Sequence, residues 1–186
     1  MVQAPEKISP AEWRRLARGR EKPHRPQFRG GQRDDLPGSV DSAWEANVWR
    51  ILLLLQQAGD VLEIEREPFE FSFPLDRGTN YYLPDFRVVF CDSGQDGLSI
   101  ATTRFVEVKG YPTSKGKTQL KRMAKYYPEI FRDMLFVVRR DPQADSTLGR
   151  RRKKTTMHSF LYWIGARRFW FYQDLRKQFG PLIAWE

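Results

Sequence analysis

Asp85 and Glu107 are acids set in two apolar runs, Tyr82-Leu83-Pro84-Asp85-Phe86 and Val106-Glu107-Val108-Lys109-Gly110. Between them, Asp92-Ser93-Gly94-Gln95-Asp96-Gly97 is a cluster of turn formers. This predicts an antiparallel hairpin centred near residue 96, with Asp85 opposite Glu107 and Phe86 opposite Val106. Directly opposed residues have Cα atoms about 4.5–5.5 Å apart, close enough for two carboxylates to share one divalent cation. Strand side chains alternate, so Lys109 should project from the Glu107 face while Val106 and Val108 enter a core. Two acids and an ammonium gathered at one point suit metal-dependent hydrolysis of a phosphodiester.

Phosphodiesters resist attack because their charge repels nucleophiles and the leaving alkoxide is poor. A bound Mg²⁺ addresses both difficulties. It prefers oxygen ligands, which Asp85, Glu107 and the Val108 carbonyl could supply. Lys109 could orient the attacking water or stabilise the pentacovalent phosphate. The competing reading is a Glu107–Lys109 salt bridge in an ordinary sheet, since Glu-x-Lys alone occurs by chance. The register, Pro84 before Asp85 and Gly110 after Lys109 favour the catalytic reading. Glu45 is more ambiguous. Ser42-x-x-Glu45 is a capping box, and local sequence alone favours a helix cap there.

The elements that must position these residues follow from periodicity. Trp44, Val48, Ile51, Leu52 and Leu55 recur at helical spacing over Asp41 to Ala58, with Gly59 as the stop. Strands are predicted at Val61–Glu67 and Phe69–Phe73, then the pair 81–90 and 101–109. A lysine-rich helix is predicted from Ser114 to Tyr127, a buried strand over Met134–Val138, and a helix over Arg168–Phe179. Phe160–Trp163 fits either strand or helix. The order describes an α/β layer, a mixed central sheet flanked by helices.

Thirty-two Lys and Arg against 23 Asp and Glu give +9, a balance that points to nucleic acid as partner. Residues 1–40, rich in Pro, Gly and Arg, read as a basic, partly disordered arm, with Arg14, Arg15 and Arg18 among its phosphate contacts. Residues 141–159 read as an exposed loop whose run Arg150-Arg151-Arg152-Lys153-Lys154 is either solvated or a DNA contact. Cys91 is the sole cysteine, which leaves no disulfide framework or thiolate zinc site. His24 and His158 read as surface or phosphate-contacting residues. The sequence lacks an apolar stretch of the ~18 residues that read as a membrane span and shows no signal-peptide pattern, so an intracellular, cytoplasmic protein is expected.

Ser42-x-Trp44-Glu45-Ala46-Asn47, Tyr82-x-Pro84-Asp85-Phe86 and Val106-Glu107-Val108-Lys109-Gly110-Tyr111 together resemble the PD-(D/E)XK nuclease superfamily. Within it, the chain is most similar to small phage and mobile-element endonucleases related to junction-resolving phage endonuclease I. The helix Lys117-x-x-x-Lys121-Arg122-x-x-x-Tyr126-Tyr127-Pro128 and Leu182-Ile183-x-Trp185-Glu186 add to the likeness, which spans about residues 40–139 and the last few positions. It implies a restriction-endonuclease-like αβββαβ core over residues 41–186, with a basic insertion near 141–166. It implies Asp85 and Glu107 as metal ligands, Lys109 as catalytic lysine, and Glu45 as a helix-borne acid binding the metal or its water. Lys115, Lys117, Gln119 and Lys121 become candidates for DNA-backbone contact. Mg²⁺ or Mn²⁺ is the expected cofactor, and a homodimer the common arrangement. The expectation is a metal-dependent DNA endonuclease, with branched DNA such as a Holliday junction as one substrate class. The rivals are a sequence-specific restriction- or transposition-type cutter and a DNA-binding module without turnover.

Overall fold

The computed structural model describes residues 30–74, 78–93, 99–110, 113–140 and 156–186. The first helix, α1 (Ala43–Ala58), is capped by Ser42, whose hydroxyl accepts from the Glu45 N–H. Its apolar stripe buries Val48, Ile51 and Leu52. Gly59 ends it at φ 85°, a left-handed conformation that costs glycine nothing.

Strands β1 (Val61–Arg66), β2 (Phe71–Ser72), β3 (Tyr81–Tyr82), β4 (Phe86–Ser93) and β5 (Ser99–Lys109) follow. Helices α2 (Ser114–Tyr126) and α3 (Pro128–Asp133) then lead to β6 (Leu135–Val138). Helix α4 (Met157–Trp163), β7 (Arg168–Phe171) and α5 (Tyr172–Phe179) complete the order. The main sheet runs β1-β4-β5-β6-β7, and β2-β3 form a separate small sheet. Strands β1, β4 and β5 are antiparallel neighbours; β6 and β7 continue the sheet parallel to β5. A parallel neighbour needs a crossover, and α2 with α3 supplies the first. The result is a mixed α/β fold, a five-stranded sheet flanked by helices.

Alternation along the strands divides the interior between two faces. Val106, Val108, Leu135 and Val137 pack with Val48, Ile51 and Leu52 of α1. Phe136 and Val138 pack on the other side with Leu120, Met123, Phe131 and Leu161. In the β5–β6 register Glu107 lies beside Phe136 and Lys109 beside Val138. Paired residues of parallel neighbours share a face, so the acid and the lysine belong to the second side.

Several local expectations change. Order begins before Ser42: Gly31 bridges to Val40, and Leu36 and Val40 are buried. Positions 30–40, read as part of the arm, thus pack onto the domain. The strand expected over Phe69–Phe73 shrinks to Phe71–Ser72, leaving Phe69 58% exposed. Pro68 provides no donor to extend it. The helix expected from Arg168 starts only at Tyr172, because Arg168–Phe171 pairs alongside β6. Positions 156–159, read as loop, belong to the start of α4, capped by Thr156 and burying Met157, Phe160 and Leu161. His158 is buried rather than superficial, its ring 4.8 Å from Phe169 and 4.9 Å from Phe171. Among the described residues, no helix is long and apolar enough to cross a membrane.

Candidate active site

Phe86 pairs with Val106, so Asp85, one residue before β4, comes level with Glu107 as the turn composition predicted. Three main-chain contacts fix this junction. The Glu67 N–H donates to the Asp85 carbonyl at 3.0 Å, and the Asp85 N–H donates to Glu107 Oε2 at 3.3 Å. The Val108 N–H donates to Asp85 Oδ2 at 2.6 Å. Each acid therefore reaches across to the backbone of the other's strand. Val106 and Val108 are buried in the core beneath, while Lys109 turns to Glu107 and its ammonium contacts Oε1 as an ion pair.

The electrostatics of this junction are unbalanced. Glu107 is fully buried, and its Oε1 makes no hydrogen bond of regular geometry beyond the ion pair. Burial, then the neighbouring charge of Glu107, pushes the Asp85 carboxyl well above the usual carboxylate range; Lys109 only partly opposes this. Burial would by itself lower the Lys109 pKa, but the charges of Glu107 and Asp85 outweigh it and raise it. Lys109 is therefore an ammonium at any ordinary pH. It can stabilise an anion, and it is unsuited to accept a proton from water.

Glu45 serves the helix start, as its sequence predicts, with the N–H of Asp41 rather than of the N-cap Ser42 as its backbone donor. Its Oε2 accepts the Asp41 N–H at 2.8 Å, and its Oε1 accepts the Ser42 hydroxyl at 3.1 Å. It also feels the charges of the Asp85–Glu107–Lys109 junction. Burial raises its pKa, the two cap hydrogen bonds and Lys109 lower it, and Glu45 in turn contributes to the raised pKa of Asp85. The cap and a place at the rim of the acid cluster are thus compatible.

Tyr82 is a member that the sequence reading quoted but did not assign. Its hydroxyl is buried without a hydrogen bond of regular geometry. Burial, then Glu107, then Asp85 raise its pKa, so it stays a neutral phenol facing acids. The available signal was its place three residues before Asp85, in a run whose other members are apolar or proline.

Among the described residues, no group of three His, Cys, Asp or Glu side chains is arranged to hold a metal ion. Magnesium does not demand one, since it commonly takes one or two carboxylates and completes its shell with water and substrate oxygens. The buried Glu107 carboxyl, held by the Lys109 ammonium, beside a second carboxyl of raised pKa is a donor set that a hard cation would suit.

The expected DNA contacts are distributed elsewhere. Lys115, Lys117, Gln119 and Lys121 lie on α2. The Lys117 and Lys121 ammoniums sit 5.5 and 6.0 Å from the Phe160 ring, and Lys121 is 5.8 Å from that of Trp163. Trp163 is 76% exposed, so this lysine–aromatic surface faces solvent. The Gln119 amide reaches the Tyr81 carbonyl at 3.5 Å. Arg14, Arg15, Arg18 and the run Arg150, Arg151, Arg152, Lys153 and Lys154 lie outside the described residues. Compared with known proteins, the chain matches no family model, no curated protein and no solved structure.

Proposed function

We propose that this protein is a divalent-metal-dependent endonuclease that hydrolyses phosphodiester bonds in DNA. One observation carries the reading: Asp85 and Glu107, two buried carboxyls, meet the single ammonium of Lys109 at the β4–β5 junction. Buried acids with raised pKa values are costly unless a ligand uses them, and they are commonest at functional sites. They sit on a mixed five-stranded sheet flanked by helices, a rigid frame on which such a site can be built. The overall excess of nine positive charges suits a polyanionic substrate.

Asp85 and Glu107 would hold Mg²⁺ or Mn²⁺, with the Val108 carbonyl as a further oxygen and Glu45 at the rim. When bound there, the metal would acidify water and neutralise charge on the reacting phosphate. Lys109, fixed as an ammonium by Glu107, stabilises the added negative charge of the pentacovalent phosphate. Tyr82, a neutral phenol, keeps solvent away from the buried side of Glu107. Two chains acting together would cut both strands of a duplex.

A DNA-binding module without turnover is the second reading. It is favoured by the hydrogen bonds that already occupy both Glu45 oxygens and Asp85 Oδ2. The deciding experiment incubates purified protein with plasmid, linear duplex and four-way-junction DNA, with and without Mg²⁺. Nicking or cutting only with the metal, lost in Asp85→Ala, is the expected result, and preference for the junction over a duplex of the same sequence would show structure specificity. Tight binding with no product under Mg²⁺ or Mn²⁺ would leave the module reading standing.

A further inference from the structure

A second feature lies on the rim that carries Lys109. In the sheet register Lys109, Val138 and Phe171 stand side by side at the C-terminal ends of three parallel strands. The next residues along these strands are Gly110, Arg139 and Tyr172. Adjacent strands are about 4.8 Å apart, so this row crosses the edge within roughly 10 Å. Helix α5 starts there and adds Gln173, Arg176 and Lys177. With Trp44, Arg139 and Tyr172, these three line an open cleft of about 580 Å³.

The composition of the cleft points to a ligand class. Arg139, Arg176 and Lys177 are exposed, and among the described residues none of them is paired with an acid. Asp174, the acid in the first turn of α5, is already held by Arg140 at 2.5 Å. Three unpaired cations around one concavity repel one another, and an anion relieves that. Two aromatic rings line it as well. Trp44 stacks on Tyr172 with ring centroids 3.9 Å apart and planes within 6°. Tyr172 is anchored in turn by the Asn47 amide, which donates to its hydroxyl at 2.8 Å. A rigid aromatic wall facing several cations is how single strands are held: phosphates on the charges, bases or sugars against the rings. The cleft also adjoins the acid cluster. Trp44 precedes Glu45, and the position a Gly110 Cβ would take lies 3.7 Å from the Trp44 ring.

We propose that this cleft binds the phosphates of the DNA strand next to the scissile bond, with Arg139, Arg176 and Lys177 on the phosphates and Trp44–Tyr172 against a base or sugar. The inference rests on the nuclease reading for its substrate, and it says where that substrate runs.

The test is DNA binding in EDTA, where no cleavage intervenes. Affinity of a fluorescein-labelled duplex is measured by anisotropy over a salt series for wild type and for Arg139→Gln/Arg176→Gln/Lys177→Gln. Each phosphate contact contributes about one to the slope of log K against log salt, so the triple variant should lose about two to three. All three side chains are exposed, and circular dichroism checks that the fold is kept; Arg176→Gln alone should lose about one. In parallel, duplexes carrying 5-iododeoxyuridine at successive positions are photocrosslinked, and the adduct is expected on Trp44 or Tyr172. An unchanged slope overturns the proposal, and so does a fall in slope without either adduct, which would mark a diffuse basic surface. Cleavage with an unchanged slope removes the cleft and leaves the nuclease. A fall in slope with the expected adduct, in a protein that never cuts, keeps the cleft and removes the nuclease.

Discussion

Two clusters of buried or half-buried charge each include a residue of α1, Arg50 in one and Glu45 beside the other, and they are built on opposite principles. Around Asn47 and Arg50 of α1, Arg33 and Arg50 face Asp35 and Glu186. Arg33 holds both Glu186 oxygens at 2.7 and 2.8 Å, and Arg50 holds both Asp35 oxygens at 2.5 and 2.8 Å. Two guanidiniums meet two carboxylates, and hydrogen bonds from the arginines lower the pKa values of Asp35 and Glu186. Around Lys109 one cation meets Asp85 and Glu107, with Glu45 near by, and the Asp85 and Glu45 pKa values rise. The first cluster is saturated and closes the fold on itself. The second crowds carboxyls around one ammonium and pushes two of them toward their neutral forms, which is costly for the protein alone and useful only with a ligand.

The comparison is broken most directly at its functional end. Lys109→Ala or Glu107→Gln should reduce Mg²⁺-dependent cleavage about 100- to 1000-fold, the usual loss for a group that stabilises the transition state. DNA affinity in EDTA should stay within about threefold; equal loss of both would mean a structural role. At the saturated end, Arg50→Met deprives Asp35 of its partner and leaves Glu186 to Arg33 alone, and should cost about 2 kcal/mol. For a chain of this size the melting temperature would then fall by roughly 4–8 °C. No fall would show that the clamp does not stabilise the fold.

Asp85→Asn sharpens the contrast, because here removing a charge should stabilise. In metal-free buffer at neutral pH its melting temperature should rise by roughly 2–4 °C, and the increment from added Mg²⁺ should vanish. The smallest effect is the pH dependence. Asp35 and Glu186 have lowered pKa values, so their stabilisation is present above the unfolded values near 4 and is lost as pH falls through the folded ones. Glu45 and Asp85 have raised values, so without metal their penalty grows as pH climbs from about 4 through the folded values. Glu186→Gln should flatten the acid side of the melting curve by about 1–2 °C, and Asp85→Asn the side above pH 4. Profiles that match wild type on both sides would refute the contrast.

The two ends also differ in how far they could be read from sequence. The acid junction was legible because alternation and turn composition are local. Counting outward from residue 96 pairs Phe86 with Val106, and the strands adopt that register. The cap at Ser42, the stop at Gly59 and the helix over α2 rest on equally local signals. The clamp was illegible because Arg33 and Glu186 are separated by 153 positions, and no periodicity links them. Gly and Pro around Arg33 give its stretch the look of a basic arm; Leu36 and Val40, two apolar residues without a repeat, are what anchor it. β7 was missed because Arg168–Phe171 is read alone as the start of the amphipathic run that follows, and only the adjacent β6 makes it a strand. Trp44 with Tyr172 and Arg139 with Arg176 come together for the same reason, through strand order rather than spacing.

The claim at the centre is that the Asp85–Glu107 pair is short of positive charge and takes a divalent cation. Titration of Mn²⁺ into the metal-free protein, followed by loss of the free-ion signal in electron paramagnetic resonance, measures this without DNA or turnover. The account predicts saturable uptake by wild type that disappears in Glu107→Gln while the variant remains folded. Absence of uptake by wild type, or the same uptake in the variant, would contradict it.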